Sequence, residues 1–356
     1  MDEHLDERDD GQRDEQHDDE EAQVAREEVT RENTHERSLA LQYIAGSEAI
    51  GKALTRPVLS IGNFDGIHLG HRAILDTVVE RSHALEGEAV VYTFDPHPRK
   101  ILRPERAPRL LATLEQKLEL LEGAGVNAVI VEPFSLAFAR TPADVFVREI
   151  IHERIRPLEV YVGYDFHFGR DREGSMRMLT EMGPRLGFAV TIIPEVTMDQ
   201  GDVNSTRIRQ LLSEAQVERA NAMLGRPYAV RGTVVEGDRR GRTIGFPTAN
   251  LESENEALPA PGVYAGWVRL LDDGEPALGS SWPAVTNVGS RPTFESEGRV
   301  LAEAHLIDFE GDLYGRRIEI SFLHHLRPER RFSGIEALRT QIHADVREAR
   351  RGLEAP

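Results

Sequence analysis

Val58-Leu59-Ser60-Ile61-Gly62-Asn63-Phe64-Asp65-Gly66-Ile67-His68-Leu69-Gly70-His71 decides the fold of the first half of this chain. Four apolar or small residues read as a buried strand. Gly62 and Gly66 then permit a tight turn and a close approach of backbone to a ligand. The residues from His71 to His83 read as a helix, so unpaired N–H groups at its start can face an anion. His68 and His71 stand three apart across a glycine, a spacing that lets both imidazoles point to one side. Imidazoles there suit phosphate oxygens as charge builds in an in-line displacement. The other readings are a turn with a capping histidine, or a metal pair, for which no third ligand has the right local spacing.

Outward from this stretch, short apolar runs alternate with amphipathic ones. Strands are expected at 89–94, 128–131, 160–162 and 189–193. Helices are expected at 114–121 and 142–151, the latter with Thr141 as N-cap and Pro142 at its first position. Alternation of this kind predicts an α/β parallel sheet covered on both faces, with ligands beyond the carboxyl ends of the strands. Two short helices within 205–224 make a connector. After Arg226-Pro227 the pattern turns to β, with runs at 228–235, 262–270, 284–288, 299–306 and 317–323 punctuated by Gly and Pro. That predicts an antiparallel barrel or sandwich, closed by a helix over 333–351. The expected organisation is a tail at 1–37, an α/β domain at 38–212, a connector at 213–226 and a β domain at 227–351.

No GxxxxGK[ST] run occurs, so a nucleotide site in the β half is not a P-loop. Gly237-Asp238-Arg239-Arg240-Gly241-Arg242-Thr243-Ile244-Gly245-Phe246-Pro247-Thr248-Ala249-Asn250 offers a cationic glycine loop instead. Such a loop is either a phosphate cradle or a solvated hairpin tip. Thr248 and Asn250, two apart on an extended segment, face the same way and can share one Mg²⁺ through their side-chain oxygens. His324 and His325 are adjacent on a strand and point oppositely, which makes them surface or packing groups.

Bulk properties bound the rest. The formal net charge is −18, against nucleic-acid backbone binding. Residues 1–37 hold 16 acidic and 5 arginine side chains and no aromatic, the composition of a solubilising disordered tail or an interaction arm. Lys52, Lys100 and Lys117 are the only lysines; this scarcity beside an acid excess fits a salty habitat or a GC-rich genome. No cysteine is present, which removes disulfides and thiolate chemistry. No apolar run reaches bilayer length and the acidic start is unlike a signal peptide, so a cytoplasmic protein without membrane partners is expected.

The segment Gly62–His71 resembles the HxGH signature of the nucleotidyltransferase superfamily, and in its longer form the adenylyltransferase module of bacterial bifunctional riboflavin kinase/FAD synthetases. Phe94–Arg99, Gly163–Gly169 and Asn204–Arg209 agree with that family in order. The run through Pro247-Thr248-Ala249-Asn250 resembles the PTAN motif of its riboflavin kinase module. Pro261–Ala265, Thr286–Phe294, Glu303–Phe309 and Asp312–Gly315 follow as in that module. The resemblance spans roughly residues 42–350, all but the tail.

The resemblance implies a Rossmann-like nucleotidyltransferase sheet followed by a kinase barrel. It implies ATP, riboflavin and FMN as substrates, and Mg²⁺ as cofactor. FMN phosphate would attack the α-phosphorus of ATP while His68 and His71 stabilise the pentavalent centre. Ser205, Thr206 and Arg207 would hold the outer phosphates, although a helix N-cap with a solvated arginine is the other reading of those three. Gly62, Phe64, Asp65, Gly66 and Asp165 would contact nucleotide, and His97 would lie near flavin or phosphate. His167 stands where the family commonly has arginine. In the kinase, Gly237, Arg242 and Gly245 would meet nucleotide, Thr248 and Asn250 the metal, and Glu303 would be the catalytic base. Asn287 and Arg291 would serve flavin. A monomer or weak self-association is expected. An adenylyltransferase with an inactive kinase, or a non-catalytic flavin-binding regulator, are the rival functions.

Overall fold

The computed structural model describes residues 41–51, 54–198, 201–237, 241, 244–271, 281–290 and 300–354. The expected tail, Arg242 and Arg291 lie outside these residues. Six strands form the first sheet: β1 (Gln42–Ala45), β2 (Val58–Ile61), β3 (Ala89–Asp95), β4 (Ala128–Pro133), β5 (Glu159–Gly163) and β6 (Ala189–Ile193). Their order is β1-β4-β3-β2-β5-β6. The pairings of β2 with β3 and β5, of β3 with β4, and of β5 with β6 are parallel. Strands β2 and β3 are continuous apolar runs because helices cover both their faces, and Val58, Leu59, Ala89, Val90, Val91 and Tyr92 are fully buried.

The chain builds outward from β2 through β3 to β4, then returns to the other side of β2 with β5. The reversal puts a crevice between β2 and β5 at their carboxyl ends, where ligands bind in open sheets of this kind. The helix after β2, α1, spans Leu69–Ala84, starting two residues before the expected point because His68 is its N-cap. Helix α2 (Leu114–Glu122) opens with a capping box in which Thr113 and Gln116 satisfy each other's backbone N–H. The helix expected from Pro142 differs. Pro142 itself occupies the N-cap with no side-chain cap bond; Ala143 N–H donates to Glu173 Oε1 at 3.0 Å, so Thr141 is not needed as a cap. From Phe146 to Ile155 the helix widens into π geometry. Helix α3 (Met176–Leu186) covers β6.

The β half is a barrel, not a sandwich. Its strands are β7 (Tyr228–Val235), β8 (Ala249–Ser253), β9 (Gly262–Leu270), β10 (Ser281–Ser290), β11 (Val300–Leu306) and β12 (Arg317–Phe322). Antiparallel pairings run β10-β11-β8-β7-β12-β9, and β9 pairs back to β10 to close the ring. A further strand, β13 (His324–Arg327), adds to β9. Inward side chains alternate with outward ones: Leu251, Tyr264, Val268, Ala302, Ala304, Ile318, Ile320 and Phe322 fill the interior. The outward Val263, Ala265 and Val285 are covered by the closing helix α6 (Ile335–Glu354) through Ala349, Val346 and Leu353.

Helices α4 (Ser205–Ser213) and α5 (Val217–Leu224) are more than a tether. Ile208, Leu211, Leu212, Val217, Ala220 and Met223 share one buried cluster with the barrel interior. Helix α2 also meets the barrel. Arg231 is buried; it donates through Nη1 to Glu119 at 2.6 Å and through Nε to Glu319 at 2.7 Å. Gln116 Nε2 donates to Ala229 O at 3.2 Å and Asn255 Nδ2 to Gln116 Oε1 at 2.6 Å. Burying these groups is tolerated because each has a partner.

Candidate active sites

The first site grows out of the turn after β2. Phe64, Gly66 and Ile67 take φ of 48°, 80° and 38°. Positive φ costs a β-branched residue such as Ile67 on the order of 1–3 kcal/mol, and the surroundings must hold it. They do so from several sides. The Phe64 ring turns inward and lies 5.1 Å from the His71 ring. Asp65 Oδ1 accepts from Leu111 N at 2.9 Å, and Ser205 Oγ donates to Asp65 O at 3.0 Å. A Cβ on Gly66 would sit 2.8 Å from Leu111 Cδ1. Phe64, Asp65 and Gly66, expected to touch nucleotide, are therefore buried. They are the frame of the turn rather than its exposed face.

That frame presents two imidazoles. The His68 and His71 rings stack with centroids 3.7 Å apart and planes 19° apart. His68 Nδ1 accepts from His71 N–H at 3.3 Å, which leaves Nε2 to carry the proton of a neutral ring. Burial, with the Arg226 and Arg209 charges, pulls the His68 pKa down to about 4. Burial, His68 and Lys117 hold His71 well below the ordinary imidazole range. Both rings are neutral donors at pH 7. His71 Nδ1 is buried with no hydrogen-bond partner, an orphaned polar atom of the kind that calls for an explanation at a site.

Basic side chains converge on the same end of the sheet. His97 N-caps the short helix Pro98–Leu102, accepting from Arg99 N at 3.1 Å. Burial, Lys117, Arg209, Arg99 and Lys100 pull its pKa down to about 4. Lys117 on α2 is buried, and burial lowers its pKa against the pull of Asp65 and Asp95. At the start of α4, Asn204 Oδ1 caps Arg207 N at 2.9 Å. The expected arginine, Arg207, is turned away from this cluster, and Arg209 faces it. Arg207 Nη1 donates to Gln210 Oε1 at 2.8 Å, whereas Arg209 Nη1 lies 3.5 Å from Asp65 Oδ2. Ser205 and Arg209 are four apart and share a helix face; Arg207 is on the far side. Asp165 is exposed beyond β5. Arg172 Nη2 reaches the neighbouring His167 Nδ1 at 3.0 Å, bringing a guanidinium to that position.

The second site is a polar row on the barrel's outer face. Asn250 on β8 lies directly opposite Glu303 on β11, and Glu303 lies directly opposite Asn287 on β10. Directly paired residues project to the same face, so three strands deliver two amides flanking one carboxylate. Thr248, two residues before Asn250, shares that face. Thr248 and Asn250 both line a cavity of ≈ 90 Å³ with Pro247, Leu306, Asp312 and Tyr314. Gly237 packs on the Asn250 amide so closely that a Cβ would fall 2.6 Å from Asn250 Cγ. Gly245 turns at φ 90°. His305 Nδ1 contacts Pro247 O at 2.9 Å, fixing the strand to the loop before Thr248.

Residues 51–207 match the family model for FAD synthetase, and residues 224–353 match the one for riboflavin kinase. A bifunctional riboflavin kinase/FMN adenylyltransferase from Pseudomonas fluorescens is 40% identical over 84% of this chain and 93% of its own length. The chain belongs to the bifunctional riboflavin kinase/FMN adenylyltransferase family. The Escherichia coli K12 member is 38% identical over 84% of this chain and 94% of its own. A crystal structure described as that of a macrolide-efflux protein from Streptococcus pneumoniae superposes with a TM-score of 0.78 at 29% identity, covering 87% of this chain and 99% of that one. Among the described residues no helix is long and apolar enough to cross a membrane.

Within the family frame, the stacked histidines and the α4 start belong to the FAD synthetase match, and the Asn250–Glu303–Asn287 row to the riboflavin kinase match. Two residues escaped sequence reasoning. Arg209 was hidden by its place outside the Ser205-Thr206-Arg207 triplet. Lys117 sits between Leu114 and Leu121 on the apolar stripe of α2, and a lysine on a buried stripe in a chain with three lysines was the available signal.

Proposed function

We propose that the chain phosphorylates riboflavin to FMN on its barrel and converts FMN to FAD on its parallel sheet, using ATP in both steps. The carrying observation is that both phosphate-handling sets are intact in one chain, each gathered at one place on its own scaffold.

On the barrel, Glu303 accepts the proton of the terminal ribityl hydroxyl as its oxygen attacks the γ-phosphorus of ATP and ADP departs. Asn287 orients the hydroxyl chain. Thr248 and Asn250 offer two neutral oxygens to Mg²⁺, a fitting donor set for an ion that takes its remaining ligands from phosphate and water. The ion's contribution is to offset triphosphate charge. Gly237, Gly245 and the arginines of that loop, Arg242 included, meet the nucleotide, and Arg291 serves flavin.

On the sheet, an FMN phosphate oxygen attacks the α-phosphorus of ATP, the bond to the β-phosphate breaks, and pyrophosphate leaves. His68 Nε2–H and the neutral His71 donate to the oxygens of the five-coordinate phosphorus. Ser205, Thr206 and Arg209 receive the outer phosphates at the start of α4. Lys117 and His97 hold the FMN phosphate, and Gly62 and Asp165 border the nucleotide.

The test is incubation of the purified chain with riboflavin, ATP and Mg²⁺, followed by separation of products. FMN and FAD together support the proposal. FAD from supplied FMN without FMN from riboflavin leaves an inactive kinase. Flavin binding with neither product leaves a non-catalytic binder.

A further inference from the structure

The turn that carries His68 is held from outside its own domain. Arg226, the residue after the α5 C-cap, donates through Nη2 to Gly66 O at 2.6 Å and through Nη1 to Ile67 O at 2.9 Å. These are the two carbonyls immediately before His68, within the positive-φ stretch. Arg226 falls in the residues matched by the riboflavin kinase model, and the turn in those matched by FAD synthetase. The contact is doubled by the preceding residue: Gly225 turns at φ 71°, and a Cβ there would lie 2.6 Å from Leu69 Cδ2. Beside the clasp lies a cavity of ≈ 280 Å³ lined by Gly66, Leu111, Arg226, Tyr228, Arg231 and Glu319.

A planar fork that spans two successive carbonyls fixes their orientation, and with it the peptide that leads into the N-cap histidine. The guanidinium makes no ion pair among the described residues; its charge is spent on the backbone of the turn. Burial lowers its pKa to about 10, still leaving it charged at neutral pH. The same charge helps keep His68 neutral. We propose that Arg226 is a positioning residue for adenylyl transfer, through which the kinase half sets the geometry of the nucleotidyltransferase turn. Arg226 touches neither substrate nor reacting phosphorus; it acts through His68 and His71. The inference rests on the adenylyltransferase reading above.

The experiment measures both half-reactions on full-length wild type, Arg226→Ala and Arg226→Lys. FAD formation by wild type from FMN and ATP tests the underlying reading first; its absence sinks that reading, whatever the variants do. Given that activity, Arg226→Ala is expected to lower kcat for adenylyl transfer by roughly 10- to 100-fold, the cost of misplacing catalytic groups by about an ångström. KM for ATP and for FMN should move less than about threefold, because the phosphate-holding groups on α2 and α4 stay in place. Riboflavin phosphorylation should persist and serves as the internal measure of folding. Arg226→Lys should recover only part of the loss, since one ammonium does not span two carbonyls in a fixed fork. Adenylyl-transfer kcat within about threefold of wild type in Arg226→Ala overturns the proposal. So does a parallel fall of both activities in both variants, which makes Arg226 a residue of general stability.

Discussion

The two halves solve one problem, presenting charge to a triphosphate, by opposite means. The sheet half uses a strained turn whose interior is closed: Phe64, Asp65 and Ile67 are buried, and the buried His68 ring is stacked on that of the half-buried His71. The barrel half uses regular strands, where pairing alone aligns Asn250, Glu303 and Asn287 in a row. Strain is needed in the first because a parallel strand ends at its site, so the chain must reverse within a few residues. It is not needed in the second because an antiparallel ladder carries the site along its side. Geometry therefore resides in a loop frame in one half and in strand register in the other, and the two should fail differently.

The sharpest separation comes from one substitution in each half. His71→Ala removes one of two stacked donors and is expected to cut FAD formation from FMN by about 10²- to 10³-fold, the usual worth of one such donor, while FMN still accumulates from riboflavin. Glu303→Gln keeps the shape of the row and removes the base. It should lower FMN formation by about 10²- to 10⁴-fold and leave FMN-to-FAD conversion intact. A kinase rate unchanged in Glu303→Gln would remove the base from the row. Loss of both activities in His71→Ala would end the idea that the halves carry separate chemistry.

A gentler break tests register against packing. Gly237 lies against the Asn250 amide, and alanine there would place a methyl 2.6 Å from Asn250 Cγ. Asn250 sits in a strand paired on both sides, so the side chain, not the backbone, must rotate away. Gly237→Ala should slow riboflavin phosphorylation roughly 10-fold and raise the Mg²⁺ concentration needed for half-maximal rate. FAD formation from FMN should stay as in wild type. An unaltered Mg²⁺ dependence would detach Asn250 from the metal.

Much of this was legible in the sequence, and the gaps have physical causes. The run Val58–His71 announces its strand, turn and helix because burial on both faces leaves an unbroken apolar stretch, which glycines then end. Strand β1 gave no such signal: of Gln42–Ala45 only Ile44 is buried. The strand reading of His324 and His325 gave no sign that β13 is separate from β12, broken from it at Leu323. The barrel itself was expected as barrel or sandwich, since closure depends on β12 meeting both β7 and β9, pairings between runs far apart in sequence that leave no local trace. At the first site the juxtaposition of the two histidines was legible and the burial of Phe64 and Asp65 was not. A glycine-rich turn shows where the backbone can bend, not which side chains fold beneath it. That Arg209, not Arg207, shares the face of Ser205 follows from helical angle and becomes visible once Asn204 is placed as the cap.

The smallest expected effect concerns stability and again divides the halves. His68 is buried with a pKa of about 4, below the 6.5 of a free imidazole. Between those values the unfolded chain binds a proton that the folded chain refuses. Stability from this group is therefore fully present above pH 6.5 and drains away as pH falls toward 4. One such histidine costs about 1 kcal/mol between pH 7.5 and 5.5, and His71, shifted the same way, adds to the loss. Urea unfolding at the two pH values should show the loss in wild type. His68→Gln, which cannot titrate, should show a loss smaller by about that 1 kcal/mol. Equal slopes in the two proteins would mean that His68 meets water in the folded state, and the dehydrated frame around the stacked rings would have to be given up.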